Sequence, residues 1–182
     1  MSEARRVTSG RPLPGEYADY AQPDIDRVRG DDAVAALVEL AEETLALLSP
    51  LSDDAVAGVA YAPGKWTLKQ VVGHLVDDER IFAYRALALA RGETADLPGF
   101  DEKTYAAAGG HEARRMASLC AEYRTVRGAT LALFAGLPAE AWTRRGRVNG
   151  YSATVRGLAF HIAGHELRHL AALREKYLPL VR

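Results

Sequence analysis

Three observations predict an all-α fold built as a four-helix bundle. Four long segments repeat their apolar residues with the 3.6-residue period of a helix, no segment of any length alternates with period two, and Val and Ile are scattered in helical spacing. Residues 1–30 are the exception. Pro12, Pro14, Gly15 and Pro23 break any period there, which predicts an irregular arm without helix, with Tyr17 and Tyr20 as packing anchors, ahead of a bundle domain over 31–182.

The first helix opens near Asp32. Val34, Leu37, Val38, Ala41, Leu45 and Leu48 fall on one face, and Pro50 stops the run. The second opens at Thr67, where Gln70 three residues on completes a capping box and Trp66 can reach Val71 as a hydrophobic staple. Its stripe of Val71, His74, Leu75, Asp78, Ile81, Phe82 and Arg85 ends at Arg91-Gly92, a sequence suited to a helix C′ position. Residues 92–110 form a long connection, and connections of that length are usually functional or carry short structure of their own. The third helix is predicted over about 112–134, with Leu119, Tyr123, Val126, Thr130 and Leu133 on its face, and the fourth over about 154–177, ended by Pro179.

Composition narrows the function classes. The 182 residues are 48% hydrophobic and carry 23 basic against 24 acidic side chains, so a core is affordable and a polyanion-binding role is disfavoured. The basic turn Arg144, Arg145 and Arg147 reads as a solvated surface. No stretch approaches the ~18 continuous apolar residues of a membrane span, and no apolar h-region follows the first residues. Cys120 is the single cysteine, and it reads as a core residue of the third helix. These readings give an expectation of a cytoplasmic protein with neither nucleic acid nor membrane as partner.

A weak internal repeat runs through the second and fourth helices. Thr67 to Glu79 aligns without gaps on Thr154 to Glu166, which sets His74 against His161 and Asp78 against His165, and Leu51-Ser-Asp-Asp-Ala-Val resembles Leu137-Pro-Ala-Glu-Ala-Trp. Two helical hairpins related by a pseudo-two-fold would produce this pattern. So would any two amphipathic helix starts.

Four of the five histidines lie on those two helices. His165 and His169 are four residues apart, so they differ by about 40° around the axis and sit one turn apart. With His74 from a facing helix they form a candidate set of three nitrogen ligands for one divalent ion, leaving an open position for water or substrate. His161 drifts further round the helix and reads as a neighbouring or packing residue. His165-Glu166-Leu167-Arg168-His169 spells the zincin motif, but no Gly turn or downstream third ligand follows, since Glu175 points about 80° away. A di-iron site would need the Glu-x-x-His of residues 166–169 twice, and the second helix has Phe82 where the histidine should be.

Together with Trp66-Thr67, Gly73-His74-Leu75, the run from Asp78 to Arg85, Arg91-Gly92, Leu97-Pro98-Gly99-Phe100 and Gly164-His165-Glu166 to His169-Leu170, this chain resembles the DinB/YfiT-like superfamily over about 32–180. The resemblance implies a four-helix bundle of the DinB/YfiT-like type, one zinc or nickel ion on three histidines, a homodimer, and in characterised relatives a low-molecular-weight thiol as cosubstrate. Arg168 stands where the family frequently has a further histidine.

The leading expectation is therefore a thiol-dependent S-transferase acting on a small electrophile, with His74, His165 and His169 as metal ligands. In it Asp78, one turn beyond His74, is the candidate for orienting a ligand or acting as base, against a solvated carboxylate as the alternative. Arg85, further along the stripe, is expected to snorkel or form a structural ion pair, with an anionic substrate as the alternative. The alternatives are a metal-dependent hydrolase, and a metal-binding or stress-related module without catalysis.

Overall fold

A computed structural model describes residues 9–181, so residues 1–8 of the predicted arm lie outside the described residues. In chain order the helices are α1 (Gln22–Arg27), α2 (Ala33–Leu48), α3 (Asp53–Val56), α4 (Leu68–Ala90), α5 (Glu102–Ala108), α6 (Met116–Ala135) and α7 (Val155–Ala172). The long helices α2, α4, α6 and α7 make the bundle. Each packs on two neighbours in the ring α2, α6, α4, α7, so helices consecutive in the bundle, α2 with α4 and α6 with α7, face each other across the diagonal.

Local chemistry accounts for the helix ends. Asp32 caps α2 by accepting from the Val34 and Ala35 N–H groups, and Thr67 caps α4 in the expected capping box, with Gln70 Oε1 accepting from the Thr67 N–H at 2.9 Å. Gly92 ends α4 with φ +87°. The start of α6 is displaced from about 112 to Met116, because residues 111–113 form a 3-10 turn and the Met116 N–H is capped from a distance by Asp53 Oδ1 at 2.7 Å. That cap comes from another helix, so no local pattern announces it. On α2 the buried face is Ala33, Leu37, Leu40, Thr44 and Leu48, while Val38 is exposed. The stripe is rotated from the apolar one because a polar residue, Thr44, is needed inside.

Two further features correct the sequence-based expectation. Residues 1–30 were expected to hold no helix, yet α1 forms within them, with Pro23 in its first turn where the missing N–H costs nothing. It lies against α7 because Gly164 leaves room: a Cβ there would come within 2.0 Å of the Asp24 carbonyl oxygen. A small sheet is also present, with β1 (Asp96–Leu97) parallel to β2 (Arg145–Val148) and β2 antiparallel to β3 (Tyr151–Thr154). Asn149 and Gly150 turn the hairpin with φ 52° and 81°, the positive pair a tight I′ connection needs. Strands of two to four residues are too short to register as period two, but Asn-Gly was a readable turn signal.

Away from the histidine-bearing faces of α4 and α7, the bundle interior holds a polar knot. Arg127 of α6 is forked on Glu79 of α4, with Nε and Nη2 both at 2.9 Å, and also donates to the Leu37 carbonyl of α2 and to Glu166 of α7. Glu166 further accepts from Tyr123 at 2.5 Å and Thr44 at 2.6 Å. All four bundle helices meet in this cluster, and every member is buried. Buried charges are tolerated only when paired and hydrogen-bonded, which this arrangement provides.

Contacts between α4 and α7 obey the two-fold relation suggested by the repeat. Equivalent residues Thr67 and Thr154 each accept from the N–H three positions on, and equivalent Glu79 and Glu166 both bind Arg127. The ring pair His74 with His169, 5.0 Å apart, maps onto His161 with Phe82, 4.1 Å apart. Asp78 and His165, each the other's equivalent, meet at 3.3 Å.

Candidate metal centre

The straight stretch of α7 and the facing part of α4 bring His74, His165 and His169 together. One ligand atom from each lies within 4.8 Å of the others, and all three side chains are buried. His74 Nε2 and His165 Nε2 approach to 3.1 Å, and His169 Nε2 is buried with no hydrogen-bond partner. Trp66, placed by the Thr67 cap, lies against His74 at 4.7 Å and stacks over His169 at 6.5 Å, closing the outer side of the trio.

Electrostatics keep these rings neutral. Burial, with the charges of Arg168 and His111, lowers His74 to about 4, and burial with His74 and Arg168 lowers His169 to about 3. Burial and the neighbouring imidazoles push His165 well below its ordinary value. A neutral imidazole is the form that binds a metal. An orphaned buried nitrogen is costly without a partner, so three convergent neutral imidazoles fit a divalent metal ion.

Asp78 lies behind the trio rather than in it. Its Oδ2 is 3.3 Å from His165 Nδ1, on the side of the ring opposite the nitrogen that meets His74. Ionised, a carboxylate so placed would favour the tautomer with the proton on Nδ1, leaving the Nε2 lone pair for a ligand. Burial raises Asp78 to about 8, with Arg85 opposing the rise.

His161 is outside the trio, stacked on Phe82 and at 5.6 Å from His165. Glu166, the would-be base of the zincin motif, points to the other side of α7 and is consumed by the polar knot. Arg168 is exposed and pairs with Asp24 of α1 at 3.0 Å. Cys120 is buried on α6, and burial raises its thiol pKa.

Beside His165 opens a cavity of about 500 Å³, reaching Arg85, Phe82, His161, Phe100 and Arg168. Its rim comes partly from the arm, through Tyr20 and Asp24, and partly from the predicted long connection, through Phe100 and Glu102.

A sequence description of the DinB superfamily matches residues 36–173, most of the chain. The chain belongs to the DinB superfamily. No curated protein matches it. Among solved structures it is similar to YfiT from Bacillus subtilis, at 21% identity over 91% of each chain with a TM-score of 0.72. That protein is described as a probable metal-dependent hydrolase with an unusual four-helix bundle topology. The DinB fold is thereby shown for this chain. Among the described residues no helix is long and apolar enough to cross a membrane.

Two participants escaped sequence reading. His111 is buried at the end of the long connection, with neither ring nitrogen hydrogen-bonded and Nε2 3.7 Å from Asp77 Oδ2. Its ring fills the notch left by Gly73, where a Cβ would come within 2.3 Å. The Gly beside His74 was the available signal. Arg127 gave none, because nothing in an isolated helix pattern marks which Arg faces inward.

Proposed function

We propose that this DinB-superfamily chain is a metal-dependent enzyme of the hydrolase kind, acting on a small ester, amide or phosphoryl substrate. The single observation that carries the reading is the convergence of three buried neutral imidazoles, one of which, His165, lines an open cavity. His74, His165 and His169 would hold one zinc or nickel ion. When bound, such an ion supplies Lewis-acid polarisation and a lowered pKa for a water or thiol.

The chain's own residues do the rest. Asp78, 3.3 Å from His165 Nδ1, would when ionised accept the Nδ1 proton in a hydrogen bond and so aim Nε2 inward. Trp66 excludes water from the side of the trio away from the cavity. His161 and Phe82 form a flat wall on which a substrate can lie beside His165. The thiol-dependent S-transferase expected from the sequence would use the same trio. The description of the similar YfiT fold as a probable hydrolase supports hydrolysis over transfer. We further propose a cytoplasmic homodimer, which sedimentation velocity of the untagged protein tests.

The experiment is a panel of nitrophenyl esters and phosphates assayed with zinc-loaded, nickel-loaded and chelated protein, with and without a low-molecular-weight thiol. Metal-dependent hydrolysis that disappears in His169→Ala supports the reading. Turnover only with a thiol and an electrophile replaces it with the S-transferase, and turnover indifferent to chelation removes both.

A further inference from the structure

The cavity beside His165 contains a buried cation with no carboxylate in ion-pair contact with it. Arg85 is 4% exposed, yet none of its nitrogens lies within 4.0 Å of a carboxylate oxygen among the described residues. Its one protein hydrogen bond runs from Nη2 to the Pro98 carbonyl at 2.6 Å. The buried Arg127, by contrast, is held by two carboxylates. Guanidinium carries five N–H donors in a fixed fork, so most of the Arg85 fork is left for the cavity that it lines. Its plane is fixed without an ion pair, by the Phe82 ring at 4.7 Å and the Phe100 ring at 5.6 Å.

The acidic groups sharing the cavity have other work or other places. Asp24 pairs with Arg168, Asp78 faces His165, and Glu102 is exposed at the rim. Arg85 sits seven residues beyond Asp78 on α4, about two turns or ~10 Å along the axis. The stacked rings of Phe82 and His161 span the interval between the fork and His165.

We propose that Arg85 is the binding residue for an anionic group, a carboxylate or phosphate, at one end of a small flat-bodied substrate whose other end lies at His165. A planar fork with free donors recognises such a group through two parallel hydrogen bonds, and burial strengthens them. The aromatic wall takes the apolar body. This rests on the reading of the cavity as the substrate site and adds the substrate's charge and polarity to it. Of the roles that the sequence left open for Arg85, a structural ion pair is not formed, and at 4% exposure the side chain does not snorkel to solvent.

Binding of benzoate, phenyl phosphate and neutral benzyl alcohol to the full chain, followed by calorimetry and ligand-observed NMR, tests the proposal. One of the two anions is expected to bind about tenfold or more tighter than the alcohol, and which one names the group. Arg85→Gln should remove that preference while leaving benzyl alcohol within about twofold. Should Arg85→Gln fail to fold, Arg85→Lys decides alone, because it keeps the charge and loses the fork. Equal affinity for anion and alcohol, or an Arg85→Lys protein with the wild-type preference, overturns the proposal. His74→Ala, outside the cavity lining, separates the two readings: anion preference kept without metal-dependent turnover leaves the subsite standing when the hydrolase fails.

Discussion

Replacing Arg127 by Met is expected to be among the most damaging single changes in the bundle that leaves the metal centre chemically intact. The Arg side chain holds Glu79 through two bonds of 2.9 Å and also engages Glu166 and the Leu37 carbonyl, with all three side chains buried. Met fills much of the volume but leaves two carboxylates facing each other in a dry interior. Removing one partner of a buried pair costs about 3–5 kcal/mol, a third or more of the total stability of an ordinary domain. For a chain of this size that lowers Tm by roughly 10 °C, at ~2–4 °C per kcal/mol. Glu166 retains its bonds from Tyr123 and Thr44, whereas the recorded partner of Glu79 is Arg127 alone. Adding Glu79→Leu to Arg127→Met should therefore recover at least ~1 kcal/mol, because it deletes the stranded charge. The assay is urea unfolding followed by circular dichroism, with calorimetric Tm as the check. An Arg127→Met midpoint within about 1 kcal/mol of wild type, or a double variant less stable than the single, would refute the argument that this knot is obligatory once its charges are present.

Three other outcomes are expected. Untagged wild type should carry about one zinc or nickel ion per chain by elemental analysis; His165→Ala and His169→Ala should lose it and His161→Ala should keep it, since three protein ligands hold a catalytic-type ion. Asp78→Asn should weaken metal affinity by ~10–100-fold in competition with a chromogenic chelator, the usual cost of losing the partner of a ligating histidine; unchanged affinity would assign Asp78 no positioning role. Burial alone would raise the Glu16 carboxyl, but hydrogen bonds from Arg156 and the Leu13 N–H and the charges of Arg156 and Arg145 bring it below the ordinary 4.5. Its stabilisation is thus full above the unfolded value and lost as pH falls through the lowered folded one, so the stability gap between wild type and Glu16→Gln should narrow below about pH 4.

How much of this was legible followed from the range of the interactions involved. The capping box at Thr67, the Gly92 stop and the one-turn spacing of His165 and His169 are local, and they placed α4, α7 and two members of the trio. The third, His74, was reachable because its helix was already oriented by its own stripe. What stayed hidden was settled at a distance. Asp53 caps α6 from α3, Gly164 admits the Asp24 backbone, and Thr44 turns inward to meet Glu166 rather than following the apolar face of α2. The β2–β3 hairpin was hidden for a different reason, its strands being shorter than the window in which alternation can be seen.

The two-fold relation between α4 and α7 means that this scaffold presents its pocket geometry twice over. The image of His74, His165 and His169 under that relation is His161, Asp78 and Phe82. Two of those three positions already hold side chains of metal-binding type, and the third holds a ring that cannot ligate. One half of the relation thus carries the three converging imidazoles, and the other, with Phe82 in the equivalent position, carries the pocket wall. A chain descended from a duplicated hairpin would have specialised its halves at that position, gathering imidazoles on one face and an aromatic wall on the other.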